Sequence, residues 1–274
     1  MSMPLNLVFV RHGESEGNLA ASLIREGHEM PPSYYDTADW QYRLTEKGKE
    51  QAKMAGKVLI DMLGGPLEKF DERYVSSYIR ARETAGNMGG PDCTWKVDDR
   101  IPERDWGQHN LLLPNGLDGQ NTISDTHKKM NWLRWRPEGG ESLMGEVYLR
   151  FRDWLDTLHR EQSDKNVLAV AHGELIWMAR YVIERMLPEE WNEAKEDKSQ
   201  RIFNCDIIWY SRLDPTDDKK VSDHLEWRRF IRPTNQEESQ FGSEWVKLDN
   251  KRRFSGQDLL EMAEKIPRIF TESQ

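Results

Sequence analysis

Cysteine is scarce in this 274-residue sequence, with only Cys93 and Cys205, far apart. Two such residues exclude the disulfide framework that staples small secreted domains. Long apolar runs are absent too, and none approaches the roughly 18–20 residues of a membrane-spanning helix. Basic charge is in deficit, 39 Lys+Arg against 48 Asp+Glu, a formal net charge of −9. A chain short of Lys and Arg is poorly suited to nucleic-acid phosphates or anionic lipid. No internal repeat, low-complexity tract, or His-x-His, Asp-x-Asp or Cys-x-x-Cys metal spacing stands out. Leu5–Val10 is too short for a secretory signal and lacks a basic leader and a small-residue cleavage site. These absences set the expectation of a soluble cytoplasmic protein with no nucleic-acid or membrane partner, its oligomeric state left open.

What is present is core material. Hydrophobic residues make up 37%, aromatics 10%, and there are 11 Trp. Leu5–Val10 reads as a strand buried on both faces. Residues 19–43, with Pro31, Pro32 and several aromatics, read as an irregular excursion. Thr45 caps a helix bearing Ala52, Ala55, Val58, Leu59 and Met62 at helical spacing, and Gly64-Gly65-Pro66 ends it. Asp71–Ser76 reads as a strand, 78–88 as a helix, and 104–140 as a second excursion. Glu141 to about Gln162 reads as a helix and Val167–Ala171 as a strand. Helices follow at 174–186 and from Pro188, then a strand at Cys205–Tyr210. This alternation predicts an α/β fold, a mostly parallel central sheet with helices on both faces. The expected division is a catalytic unit over 1–211 and an extension, 212–274, packed on it. In that extension Asp217–Lys220 read as a turn, and Lys251-Arg252-Arg253 as a solvated patch. Ser255 reads as the cap of a short helix with Leu259, Leu260, Met262 and Ala263 inward.

In open α/β sheets ligands sit beyond the C-terminal strand ends, so residues directly after strands carry most weight. Those ends offer Arg11-His12, then Arg80 and Arg82, then His172. Arginine supplies forked donors for phosphoryl oxygens. Histidine supplies a nucleophile or further donors. The combination points to an anion site.

Arg11-His12-Gly13-Glu14-Ser15 with Asn18 resembles the signature of the histidine phosphatase superfamily, which includes phosphoglycerate mutases and many phosphatases. Further stretches are similar to the family pattern in its order: Leu44–Gly48 with Gln51-Ala52, Ser76–Thr84, Ile101–Gly107, Pro137–Ser142 and Val170–Gly173. Together they span roughly residues 5–210. The resemblance implies a phosphoglycerate mutase-like fold, a small phosphorylated substrate, and no cofactor or metal. It implies His12 as the nucleophile. Arg11, Arg80 and His172 would hold the phosphoryl oxygens, with His172 counted among the catalytic residues. Glu103 would protonate the leaving alcohol and then activate water. Ser15 and Asn18 would lie in the phosphate-side loop. Arg82 competes with Arg80, and Asp105 and Glu141 with Glu103; family spacing favours Arg80 and Glu103. His109 is a further pocket candidate. Arg43 stands where the family often has proline, either as an anion contact or as a surface residue.

Three functions are open. A phosphatase acting through phosphohistidine is favoured over a mutase. Gly17 stands where mutases carry Trp, and the acid motif continues Asp105-Trp106-Gly107-Gln108. A non-catalytic phospholigand binder is disfavoured because all five central residues are intact.

Overall fold

The computed structural model describes residues 2–107, 132–234, 244–249 and 253–269. Its first strand, β1 (Asn6–Arg11), leads into α1 (Glu16–Arg25) and the single-turn α2 (Pro32–Tyr35). There follow α3 (Glu46–Leu63), β2 (Glu72–Ser76), α4 (Ile79–Gly89) and β3 (Lys96–Asp98). Next come α5 (Tyr148–Glu161), β4 (Asn166–Ala171), α6 (Gly173–Ile183) and α7 (Pro188–Glu196). The chain continues with β5 (Ile207–Ser211), the hairpin β6 (Leu213–Asp214) and β7 (Asp217–Val221), then β8 (Trp227–Ile231), β9 (Trp245–Lys247) and α8 (Gly256–Glu264).

The central sheet has the order β3-β2-β4-β1-β5-β8-β9. β1 to β4 pair in parallel, and β5, β8 and β9 follow through antiparallel pairings. β8 therefore points the same way as β1, so five of the seven strands share one direction. β1 lies between β4 and β5 and is buried on both faces, as its unbroken apolar run requires. Leu7 and Phe9 face a core built with Phe151, Trp154, Leu158 and Ile176 of α5 and α6. Val8 and Val10 face another built with Ala52, Ala55, Leu59, Ala81 and Ala85 of α3 and α4. Each large side chain buried this way contributes about 1.5–3 kcal/mol.

Several boundaries match the sequence reading. Thr45 Oγ1 caps α3 by accepting from Gly48 N at 3.0 Å. Gly64, left-handed with φ 59°, ends it. Pro188 opens α7.

Four expectations are corrected. Residues 19–25 are helical, because Ser15 and Asn18 form a reciprocal capping box that starts α1 at Glu16. The helix expected from Glu141 begins as a π-type turn at Leu143–Val147, capped by Ser142, and becomes α-helical only at Tyr148. Asp217–Lys220 lie in β7, because Asp214 Oδ1 accepts from Thr216 N and Oγ1 and closes the turn earlier. Ser255 does cap α8, but Leu259, Leu260 and Ala263 are exposed and only Met262 is partly covered. Residues 108–131, with His109 and much of the second excursion, lie outside the described residues, as do Lys251 and Arg252.

Candidate active site

The register of β1 on β4 pairs Arg11 with Ala171, so the next residues, His12 and His172, emerge side by side. His12 N donates to Ala171 O at 2.9 Å, and the ring centroids stand 5.0 Å apart. Both histidines are buried. Burial and the nearby positive charges of Arg80 and Arg11 hold the His12 pKa well below its ordinary value. Burial and Arg80 act likewise on His172. Both rings are therefore neutral at pH 7.

Tautomers follow from the partners. His12 Nδ1 lies 2.7 Å from Gly13 O, and a carbonyl only accepts, so Nδ1 carries the proton. His12 Nε2 then keeps its lone pair. His172 Nε2 lies 2.7 Å from Ser76 Oγ, which itself accepts from Tyr78 N at 3.2 Å. The Ser76 hydroxyl can donate to Nε2 or accept from it, and when it donates the proton of His172 sits on Nδ1. That Nδ1 is buried and without a partner. Tyr78 meets the His172 ring edge-on at 5.1 Å, and burial together with Asp39 pushes its phenol up to about 12.

Arg11 ends β1. Its Nη1 donates to Ile202 O at 2.8 Å, while its Nε is buried and unpartnered. Arg80, in the first turn of α4, is buried; its Nη1 donates to Asp39 O at 2.6 Å and its Nη2 to Asp39 Oδ2 at 3.1 Å. Glu103 Oε1 accepts from Arg104 N at 3.0 Å and Glu174 N at 3.1 Å. Burial and the neighbouring Glu174 carboxylate raise the Glu103 pKa. A Cβ on Gly173 would stand 3.5 Å from Arg11 Nε and 3.8 Å from Glu103 Oε2, so the acid lies near the unpartnered donor. α6 also starts there, with His172 as its N-cap, and its amide end favours an anion.

Ser15 and Asn18 sit one turn further along. Besides capping α1, Asn18 Oδ1 accepts from Asn204 Nδ2, which also donates to His12 O, both at 3.0 Å. The Leu44–Gly48 stretch has a steric reason. A Cβ on Gly13 would collide with Gly48 O, and a Cβ on Gly48 with Glu14 O. Gln51 Oε1 accepts from Glu14 N at 2.8 Å, and Thr84 Oγ1 accepts from Gly13 N at 3.0 Å. The loop holding His12 is thus pinned from α3 and α4.

The competing residues are engaged elsewhere. Glu141 accepts from Arg150 and from Asp105 N at 3.0 Å. Arg150 also donates to the carbonyls of Arg100, Pro102 and Glu103, bracing the acid segment. Asp105 Oδ1 caps Gly107 N, and Arg82 is exposed. Arg43 pairs with Glu83 at the surface. Trp106, Trp132 and Trp135 surround the Arg104 guanidinium at 4.5–5.4 Å. Asp39, Arg150 and Asn204 carried no sequence signal: each lies in a stretch whose partner is 40 or more positions away.

Residues 7–205 match the family profile of the histidine phosphatase superfamily, branch 1. The chain belongs to the histidine phosphatase superfamily. A 2,3-bisphosphoglycerate-dependent phosphoglycerate mutase of Brucella melitensis is 30% identical over 196 residues, 69% of this chain and 85% of that one. A phosphoglycerate mutase-like protein of Arabidopsis thaliana is 26% identical over 228 residues, 75% of this chain and 73% of that protein. Among solved structures of this fold, a mycobacterial glucosyl-3-phosphoglycerate phosphatase superposes with TM-score 0.57 at 23% identity, covering 82% of this chain and 96% of that one. The histidine phosphatase fold is thus present across the sheet that carries His12 and His172.

Proposed function

We propose that this histidine phosphatase hydrolyses a small phosphomonoester through a phosphohistidine on His12. One observation carries the reading. His12 Nε2 keeps its lone pair on a ring 5.0 Å from that of His172, whose Nδ1 is buried and unpartnered, and the adjacent Arg11 carries a buried, unpartnered Nε donor. A buried donor without an acceptor costs about 1–3 kcal/mol, which a bound phosphoryl group would recover.

The steps balance as two in-line transfers. His12 Nε2 attacks phosphorus and the P–O ester bond breaks. Glu103, whose pKa burial raises, gives the proton of its acid form to the leaving alkoxide. The resulting carboxylate takes a proton from water as the water attacks the P–N bond, which frees phosphate and restores both groups. Arg11, Arg80 and His172 stabilise the equatorial oxygens. Ser15 and Asn18 shape the loop beneath them.

The mutase reading rests on the 30% identical Brucella mutase. The bare Gly17, covered by the Tyr42 ring, and the Asp105-Trp106-Gly107 sequence favour hydrolysis. Incubation with 3-phosphoglycerate and a bisphosphoglycerate primer separates them. Slow release of phosphate supports the phosphatase, and efficient formation of 2-phosphoglycerate supports the mutase. An aryl phosphate assay with excess chelator tests the metal-free chemistry, and loss of activity would overturn it.

A further inference from the structure

Asp39 is the one acidic side chain bonded to Arg80 among the described residues. It sits in the short 3-10 turn Asp39–Gln41, where Gln41 Oε1 accepts from Ala38 N at 3.2 Å. The Tyr42 ring that follows lies over Gly17, stacked on Tyr34 at 5.4 Å, and its hydroxyl donates to Tyr34 O at 3.2 Å. The turn is thus built onto α1, and Asp39 is held rather than waving in solvent. Its carboxylate and carbonyl take N–H groups from both Nη atoms of Arg80, and among the described residues Arg80 Nε–H has no hydrogen-bond partner. Arg80 can therefore still reach a phosphoryl oxygen while Asp39 stays in place.

The charge balance has a consequence for the substrate. With Asp39 attached, Arg80 brings little net charge to the cradle, and Arg11 is the cation directly beside His12. Both histidines are neutral. Glu174, beside Glu103, is balanced by Lys195, whose Nζ donates to its Oε1 at 2.7 Å. A phosphoryl dianion already exceeds the positive charge there. A second anion on the same small ester placed toward Arg80 would meet the Asp39 carboxylate that already occupies both Nη atoms.

Building on the phosphatase reading above, we propose that Asp39 is a specificity-determining residue. It admits phosphomonoesters whose alcohol portion carries hydroxyl or ammonium groups and disfavours those carrying a second anion close to the phosphate. The carboxylate acts by like-charge repulsion at the edge of a desolvated site, where such mismatches are costly.

The test uses a matched pair that differs only in replacing a hydroxymethyl group by a carboxylate: glycerol 3-phosphate and 3-phosphoglycerate. For the full chain, the ratio of kcat/KM for the two esters is measured in wild type, Asp39→Asn and Asp39→Glu. Wild type should favour glycerol 3-phosphate. Asp39→Asn should shift the ratio toward 3-phosphoglycerate by about tenfold, and Asp39→Glu should keep it near wild type. An unchanged ratio in Asp39→Asn overturns the proposal. An equal loss for both esters also overturns it and makes Asp39 a positioning residue for Arg80. Inhibition of aryl phosphate hydrolysis by 3-phosphoglycerate gives the same comparison if that ester is bound but not cleaved. Asp39→Ala, checked by its unfolding midpoint, replaces Asp39→Asn should the latter not fold. If no phosphate ester is hydrolysed and none inhibits, the phosphatase reading falls and this proposal with it. If hydrolysis proceeds with an invariant ratio, only this proposal falls.

Discussion

His12 and His172 are neighbours because the strands before them are paired in parallel register, Arg11 opposite Ala171, which sets their rings 5.0 Å apart. The two rings differ in what their nitrogens touch. His12 spends Nδ1 on Gly13 O, while His172 spends Nε2 on Ser76 Oγ. His12 is left with a lone pair on Nε2 and His172 with a buried, unpartnered Nδ1, an arrangement suited to attack at the first and to anion binding at the second.

His12→Ala should lower kcat by at least about 10³-fold, in the range that loss of a nucleophile produces. Rapid quenching of wild type during turnover should trap acid-labile phosphate on His12. Label on His172 would reverse the two roles. Ser76→Ala should cost far less, roughly tenfold, because it frees the His172 ring without removing it.

The pH profile of kcat/KM on an aryl phosphate should be bell-shaped. His12 has a lowered pKa, so its acid limb should lie below the ordinary histidine value of 6.5. Glu103 has a raised pKa, so its alkaline limb should lie above 4.5. Glu103→Gln should remove the alkaline limb and lower kcat by about 10²–10⁴-fold. The loss should be smallest for the best leaving groups. An alkaline limb that survives in Glu103→Gln would assign it to another group.

Stability should follow the same histidines. Their folded pKa values lie below the unfolded value, so the unfolded chain binds more protons as pH drops. The stabilising contribution is full above pH 6.5 and is lost as pH falls from there toward the folded values. Denaturant midpoints at pH 7 and pH 5 should show this fall. His172→Gln should reduce the difference between the two pH values, whatever its effect on stability at pH 7.

Gly48→Ala should damage both stability and turnover. A Cβ there runs into the Glu14 carbonyl, which belongs to rigid backbone. Overpacking of this kind costs about 1–3 kcal/mol, and any relief moves the loop that holds His12. Gly64→Ala, by contrast, meets no atom but must adopt a left-handed φ of 59°, so it should cost stability and leave kcat unchanged. Urea titration with parallel kinetics distinguishes them.

Arg80→Lys should rescue little of the activity lost in Arg80→Ala. Asp39 takes N–H groups from both Nη atoms, and a lysine cannot fill that fork while also reaching phosphate. A near-wild-type Arg80→Lys enzyme would show that point charge alone suffices.

Much was legible from sequence because the motifs are local. Apolar runs fixed β1 and β4, and a strand followed at once by Arg-His or His-Gly announces its own functional end. The caps at Thr45 and Ser255 and the stop at Gly64 were readable because they act over three or four residues. Where a local cue was assigned elsewhere, the element was missed. Ser15 and Asn18 read as phosphate-loop residues conceal the capping box that makes 16–25 a helix and not part of an excursion. Asp217–Lys220 have turn-like composition, yet Asp214 closes the hairpin earlier.

The sequence by itself determined the chemistry available: two histidines, two arginines and a carboxylate following strands, on a chain whose net charge is −9. Tertiary structure decided their states. Only packing could neutralise both rings, leave the His12 lone pair on Nε2, and raise the Glu103 pKa, because burial and neighbouring groups are properties of assembled surroundings. Only packing could also bring Asp39 onto Arg80 and Arg150 onto the Glu103 carbonyl, since contacts 41 and 47 positions apart follow from the sheet order and not from spacing.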